Sequence, residues 1–367
     1  MVAAKALFWL SAVLLLWTHL LYPLGAIALS RLRTRRVRQE VVEPTVTVVV
    51  AAHDEESVIE RRLENLLALD YPDKLEIVVA SDASTDATDE LVAAVAAREP
   101  RVRLLRCPRG GKVAAQDLAV RGSSAEIVAF SDANATWAPD ALRLLVRNFA
   151  DREVAYVCGQ LKIQRADGSN KEGTYWRYEM ALRDAESRLG SVTGGNGSIY
   201  AVRRADYVEV DPRMGHDLSL PYAMVQRGRR AVYEPAAHAF EKPTPTNETE
   251  YRRKVRMFEH CWLITLRGGM MRRLPLGYWV QMFSHRILRY GSGVLHLVLL
   301  ATSLVAAADG APYTWALGAQ FLLGAAALAG VGIARYYVLV TWATLVALRN
   351  YLRRGVPATW EAAEGTR

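Results

Sequence analysis

Apolar positions along this chain fall into three regimes. From Leu7 to Leu29 no charged residue occurs, a run of about 23 residues that suffices to cross a hydrocarbon core roughly 30 Å thick. A signal peptide would have a shorter apolar core followed by a small-residue cleavage site. Here RLRTRRVR follows, Arg31 to Arg38, a basic patch of the kind that stays cytoplasmic. The start of the chain is therefore expected outside and the next domain inside. Between about residues 44 and 265 the pattern alternates. TVTVVVAAH, Thr45 to His53, predicts a buried strand. Asp54 to Leu69 carries Val58, Ile59, Leu63, Leu66 and Leu67 at helical spacing. LEIVVA, RVRLLRC and AEIVAF read as further strands, separated by helices over Asp86 to Ala97 and Gly111 to Arg121. Strand and helix alternate several times, which predicts an α/β domain with a mostly parallel sheet and right-handed crossovers.

The last third changes again. Ile287 to Ala308 is apolar apart from Arg289 and His296, a second apolar run covers Tyr313 to Ala334, and Asp309 to Pro312 forms a turn between them. Together they predict a transmembrane hairpin. Tyr336 to Leu348 is too short to span before Arg349, Arg353 and Arg354. It reads as an interfacial or re-entrant helix, because a third crossing would carry those arginines outside. Met270 to Arg286 mixes arginines with Leu274, Tyr278, Trp279, Met282 and Phe283, which suits an amphipathic helix at the headgroups, although a plain surface helix also fits. The expected organisation is a transmembrane helix over 1–30, a cytosolic α/β domain over 31–265, an interfacial helix over 266–286, a hairpin over 287–334, and an interfacial or re-entrant helix with a cytosolic tail over 335–367.

Two carboxylate clusters follow strands directly: SDASTD, Ser81 to Asp86, after LEIVVA, and SDANA, Ser131 to Ala135, after AEIVAF. Two strand ends thus present acidic side chains to one crevice, the place where open α/β sheets bind nucleotides. Acidic residues there can hold ribose hydroxyls, a base edge and a divalent metal that neutralises a diphosphate. Asp and Ser also end strands for purely structural reasons, so the weight rests on both clusters together. No GxGxxG or Walker pattern follows a strand, which removes support from dinucleotide and P-loop readings. The net charge of +8, from 46 Lys+Arg against 38 Asp+Glu, gathers beside hydrophobic runs and favours a membrane surface over nucleic acid. Cys107, Cys158 and Cys261 are widely spaced and fit no zinc pattern, so they read as reduced thiols of a cytosolic domain.

Four segments in this order, TVVVAAHDEESVIERRLENLLALDYP, VVASDASTD, GGKVAAQD and SDANA, resemble the family 2 glycosyltransferases of GT-A fold. The likeness is nearest to membrane-bound bacterial members akin to exopolysaccharide, cellulose and hyaluronan synthases, and it covers about residues 45 to 265. It implies a Rossmann-like GT-A domain that transfers a sugar from a nucleotide-diphosphate sugar. An acceptor hydroxyl attacks the anomeric carbon and the diphosphate leaves with negative charge, so a base, a metal and cationic donors are required. By this resemblance Asp82 contacts the nucleoside, with His53 and Glu55 of the HDEE segment nearby. Asp54 stands where the family usually has Asn. Asp132 and Asn134 occupy the two positions of the DxD metal motif, for Mg2+ or Mn2+, with Asn supplying a neutral oxygen. Lys112, after Gly110 and Gly111, opens a helix where a phosphate meets both an ammonium and free backbone N–H groups, and it resembles the family's donor-binding lysine.

The base is expected from a short acidic motif that in relatives reads ED or DD. Here the segment is GHDLSLP, with Asp217 as its one carboxylate and His216 in place of the acidic neighbour. The imidazole could tune Asp217 or be structural. GGNGSIYAVRR places Gly195, Asn196 and Gly197 where the family approaches acceptor and donor sugars, since loss of side chains lets backbone come close to a ligand. Trp176, with Tyr175 and Tyr178, could stack on a sugar or pack a helix onto the sheet. YRRKVRMFEHCW falls where processive synthases carry QxxRW. Arg253, Lys254 and Arg256 could clamp the diphosphate or rest on anionic lipid, and Met257 stands in the tryptophan's place. His238 and His260 are lone histidines.

Three readings stay open. The first is an inverting, metal-dependent transferase working on a lipid-linked or saccharide acceptor at the cytoplasmic face of a bacterial inner membrane, in a multi-pass protein. The second is a processive synthase that extrudes its polymer, for which a homo-oligomer would build the channel. The third is an inactive nucleotide-sugar-binding scaffold. Expected partners are the sugar donor, the acceptor and membrane lipids, with no nucleic acid.

Overall fold

A computed structural model of the chain describes residues 1–163, 174–243 and 247–359. These divide into two compact units, one holding most of Ser30–Pro245 and the other combining Met1–Leu29 with the later helices.

The first unit is built on an eight-stranded sheet. Its strands are β1 (Val46–Ala52), β2 (Leu75–Asp82), β3 (Val102–Cys107), β4 (Ile127–Asp132), β5 (Thr136–Trp137), β6 (Val154–Ile163), β7 (Tyr200–Arg203) and β8 (Arg230–Glu241). They lie in the order β3-β2-β1-β4-β7-β6-β8-β5. The first four run parallel. β7 is antiparallel to both β4 and β6, while β8 runs parallel to β6 and antiparallel to β5. The expected α/β fold with a mostly parallel sheet is what the chain adopts.

All seven residues of β1 are buried, because both faces of the sheet are covered and an apolar run without alternation is then the only stable sequence. Val46, Val48 and Val50 face one core with Ile59, Leu63 and Leu66 of the helix Ile59–Leu67 and with Leu142 and Leu145 of the helix Ala141–Val146. Val49 faces the opposite core with Phe130, Tyr156 and Tyr200, covered by Ala115 and Ala119 of the helix Lys112–Arg121 and by Leu220 and Met224 of the helix His216–Gln226. The chain moves from β1 to β2 and β3 on one side, then returns to place β4 on the other side of β1. That reversal is the topological switch point, and the crevice beyond the strand ends opens there. Register puts the acidic clusters at its rim, with Ala52 opposite Ser81 and Ala51 opposite Asp132.

The second unit is helical. Val2–Leu32 forms one helical run, and with Ser292–Asp309 it is, among the described residues, one of two helices that are each long and apolar enough to cross a membrane. Leu7, Leu10, Val13, Leu20, Leu24, Trp315, Phe321 and Leu322 are exposed, an outward apolar surface that lipid would cover. Phe8 and Leu15 pack against Leu299, Ala306 and Tyr313. The apolar run from Tyr313 to Ala334 is not a single arm. One helix, Ala311–Leu328, ends before Gly330, whose φ of 84° stops it. Another, Gly332–Arg354, then leaves at 107°. This second helix holds the arginines 349, 353 and 354 within itself and so is longer than its apolar stretch alone suggests.

Candidate active site

The two aspartates at the rim are held differently. Asp82 ends β2 with its side chain 3% exposed. Its Oδ1 accepts the N–H groups of Gly110 at 2.7 Å and Gly111 at 3.1 Å, Gly111 also reaches Oδ2 at 3.0 Å, and the Arg109 guanidinium donates to Oδ2. The carboxylate thereby fixes the loop that leads into the helix Lys112–Arg121. Gly111 takes φ 91°, and a Cβ there would meet the Ala358 carbonyl oxygen at 2.1 Å, so only glycine fits.

Asp132 ends β4 with its side chain 29% exposed. The Lys112 ammonium donates to its Oδ1, and the Ser198 hydroxyl lies 3.1 Å from its Oδ2. The same hydroxyl contacts Oε1 of Glu241, the last residue of β8. Burial works against the Lys112 ammonium, but the charges of Asp132, Asp217 and Glu241 outweigh it and hold the pKa above the usual lysine value. One ammonium therefore stands in the field of three carboxylates drawn from β4, β8 and the helix His216–Gln226. Behind them Arg62, 1% exposed, donates to Ser131 Oγ at 2.8 Å and to Asn65 and lies over the Trp137 ring at 5.1 Å. Burial lowers its pKa to about 9, partly offset by Asp132.

The glycine-rich loop closes the same space. Gly195 donates to the Asp217 carbonyl at 2.5 Å, and a Cβ on Gly195 would fall 1.8 Å from the Tyr156 hydroxyl. Asn196 Oδ1 accepts from the Ser198 N–H at 3.1 Å. A Cβ on Gly197 would stand 3.6 Å from Lys112 Nζ and 4.0 Å from Asp132 Oδ2. Asp217 lies in the first turn of its helix, after Gly215. Next to it His216 turns inward, 3% exposed, with Nδ1 3.1 Å from the Tyr200 hydroxyl and Nε2 3.2 Å from that of Tyr207, which donates to Asp117. With the Tyr207 proton given to Asp117, the His216 Nε2–H points at the Tyr207 oxygen and Nδ1 accepts from Tyr200. The histidine thus anchors the turn that carries Asp217.

The HDEE segment is tied to the first acidic cluster. Asp54 has φ 54°, a conformation that Asp and Asn both tolerate, which accounts for either residue at this position. Its Oδ1 accepts the Thr85 N–H at 2.7 Å, the largest cause of a pKa held below the usual carboxylate value. His53 Nε2 is 3.4 Å from Asp54 Oδ2, and the Glu55 N–H donates to Thr88 Oγ1 at 2.8 Å, leaving Glu55 buried. Trp176 packs against the core on the Tyr156 face of the sheet. Arg253 and Arg256 lie on the helix Asn247–Arg267 of the helical unit, where Arg253 pairs with Glu250 at 2.9 Å and burial lowers the pKa of Arg256.

The structure thus gathers Asp82, Lys112, Asp132, Gly195, Asn196, Gly197 and Asp217 around one crevice. It adds Arg62, Arg109, Ser198 and Glu241, which sequence reading passed over. Two of these carried a signal. Arg62 interrupts the apolar stripe of its helix, and Glu241 ends a strand as Asp82 and Asp132 do.

A divalent cation suits this donor set. The single proton of the Ser198 hydroxyl cannot serve Asp132 and Glu241 at once, so two carboxylates meet across it beside the Lys112 ammonium. Among the described residues no three acidic, His or Cys side chains form a ready-made cage. Part of the shell would then come from diphosphate oxygens, the usual way such ions bind between one or two carboxylates and a substrate.

The sheet order, the switch point and the crevice define a sugar-nucleotide-binding domain of the GT-A class. The chain covers 95% of its own length and 99% of the other's on a mannosyltransferase from Pyrobaculum calidifontis solved in complex with GDP-Man and Mn2+, at TM-score 0.73 and 25% identity. Residues 47–210 match the model of glycosyl transferase family 2, and the chain carries a glycosyltransferase domain of that family. A beta-monoglucosyldiacylglycerol synthase of Synechocystis sp. is 30% identical over 195 residues, 48% of this chain and 40% of that protein. A poly-beta-1,6-N-acetyl-D-glucosamine synthase of Staphylococcus aureus is 24% identical over 254 residues, 66% of this chain and 61% of that protein. The aligned region spans less than half of the Synechocystis protein's length.

Proposed function

We propose that this protein is an inverting, metal-dependent glycosyltransferase that moves a sugar from a nucleotide-diphosphate sugar to a lipid-linked or polysaccharide acceptor at the cytoplasmic face of a bacterial membrane. The observation that carries the reading is the meeting of Lys112 with Asp132, Glu241 and Asp217 at the switch point. In it Asp217 accepts the proton of the acceptor hydroxyl as that oxygen attacks the anomeric carbon. The Lys112 ammonium moves from Asp132 toward the departing diphosphate, whose developing charge it stabilises. Asp132 and Asn134 would hold Mg2+ or Mn2+, which supplies further positive charge at the leaving group. Asp82 fixes the loop that presents Lys112 and borders the nucleoside.

The names of the relatives support both acceptor classes, a diacylglycerol lipid and a growing polysaccharide. Product length on a gel separates single transfer from polymerisation. The reading is tested by incubating purified protein with a panel of nucleotide sugars, Mn2+ and a lipid extract. Nucleotide diphosphate should be released, and Asp217→Asn should reduce that release by about a thousandfold or more while donor binding persists. Unchanged turnover in the variant removes Asp217 from the mechanism.

A further inference from the structure

The helix Ile59–Leu67 turns Ile59, Leu63 and Leu66 into the core, and Arg62 lies on the same stripe, 1% exposed. Taking a guanidinium out of water costs more than neutral hydrogen bonds return, and a well-packed apolar side chain would fill the place at lower cost. The partners that Arg62 touches are neutral. Its Nη1 donates to Asn65 Oδ1, its Nη2 donates to Ser131 Oγ at 2.8 Å, its Cζ lies over the Trp137 ring 5.1 Å from the centroid, and its Nε–H is buried without a hydrogen-bond partner. Core packing alone therefore does not account for an arginine here.

What these contacts share is the back of the crevice. The β4–β7 ladder ends at Phe130 opposite Tyr200, and past that pair side chains take over. Ser131 Oγ accepts from Arg62 and lies 3.2 Å from the Ser198 carbonyl oxygen, to which Trp137 Nε1 donates at 2.9 Å. Asn65 Oδ1 also accepts the Trp137 N–H at 2.8 Å, and its Nδ2 donates to the Trp137 carbonyl at 3.0 Å. Trp137 belongs to β5, where Thr136 pairs with Phe240, the residue before Glu241. One guanidinium fork thus braces each segment that brings an oxygen to the crevice. Asp132 follows Ser131, the Ser198 hydroxyl belongs to the residue whose carbonyl is held, and Glu241 ends the strand against which β5 is fixed. A planar fork with two donors in fixed directions suits this task, and an ammonium does not.

We propose that Arg62 is a positioning residue of the metal and diphosphate site, whose two-pronged fork sets the spacing of Asp132, Ser198 and Glu241 without touching a ligand. This role rests on the nucleotide-sugar reading of the crevice. Calorimetry with UDP-glucose, UDP-N-acetylglucosamine and GDP-mannose, each with Mn2+, is run on the full-length protein in detergent and on its variants, beside a melting temperature for each. Arg62→Met fills about the same volume without charge, Arg62→Lys keeps the charge and loses the fork, Ser131→Ala removes the link to Ser198, and Arg61→Met alters the exposed neighbour. A Mn2+–nucleotide-sugar complex is close to neutral, so loss of charge alone shifts its affinity little. Arg62→Met, Arg62→Lys and Ser131→Ala should each weaken binding about tenfold, the effect of one charge-assisted hydrogen bond. Arg62→Met should melt at or above the temperature of the parent, and Arg61→Met should change neither quantity. A side chain that served the fold alone would show the opposite pattern, lower melting with donor affinity kept, and that result overturns the proposal. So does parent-like binding by Arg62→Lys, which would reduce the role to charge. Should the Arg62 variants fail to fold, Ser131→Ala decides, since unchanged binding there removes the brace. If the parent itself binds none of these donors with Mn2+, the nucleotide-sugar reading falls and this role with it, an outcome distinct from variants that bind as the parent does.

Discussion

Asp82 and Asp132 both stand in a Ser-Asp-Ala triplet at the end of a buried parallel strand, one on each side of β1, yet they are built into the protein in opposite ways. Asp82 gives its oxygens to two backbone N–H groups and a guanidinium and is sealed from solvent. Asp132 leans on a lysine ammonium and a serine hydroxyl, partners that can turn away, and remains partly open. The same local motif thus yields one carboxylate that organises a loop and another that can exchange its partners for a ligand. What differs is the segment opposite: Arg109 to Gly111 presses on Asp82, whereas the glycine loop at residues 195–197 leaves room beside Asp132.

Four measurements can break or sharpen this contrast, and the largest effect is expected at Asp132. Asp132→Asn should reduce nucleotide-diphosphate release by about a hundred- to a thousandfold, with a melting temperature close to that of the parent. A variant that fails to fold would place Asp132 with Asp82 as a structural group. The reverse pattern is expected for Asp82→Ala. It leaves the N–H groups of the half-buried Gly110 and the buried Gly111 without their acceptor and should cost about 3 kcal/mol of stability, seen as a lower urea midpoint. Ser198→Ala removes the hydroxyl between Asp132 and Glu241 and should slow turnover by about five- to tenfold with little change in stability.

The smallest effect concerns Asp54. Its folded pKa is depressed by the Thr85 N–H, so its stabilisation is complete above the unfolded value of 3.8 and disappears as pH falls through the folded value. The gap in urea midpoint between the parent and Asp54→Ala should therefore be constant near neutral pH and narrow below about pH 4. A gap that stays constant on acidification would detach the Thr85 contact from stability.

Much of this was legible in the amino-acid order because it is local. Strand runs such as TVTVVVAA, the acidic clusters that follow them and the glycines before Lys112 each announce themselves within a few residues. The groups that finish the site are not local. Glu241 reaches Asp132 through Ser198, and four strands, β4, β7, β6 and β8, must come side by side before that contact exists. His216 could be read as a tuning group or a structural one until Tyr200, Tyr207 and Asp117 were seen around it. The break at Gly330 was hidden for another reason. Hydropathy counts apolar residues without regard to φ, so a run from Tyr313 to Ala334 looked like one helix when a left-handed glycine divides it.

The central claim is that the crevice between β2, β1 and β4 binds an activated sugar through Asp132. Calorimetric titration of nucleotide-diphosphate sugars into the parent protein and into Asp132→Asn, each with and without Mn2+, tests it most directly. Metal-dependent binding of at least one donor is expected for the parent, with that binding lost in the variant. Binding that is unaffected by Mn2+ and by the substitution, or no binding of any donor by the parent, would contradict it.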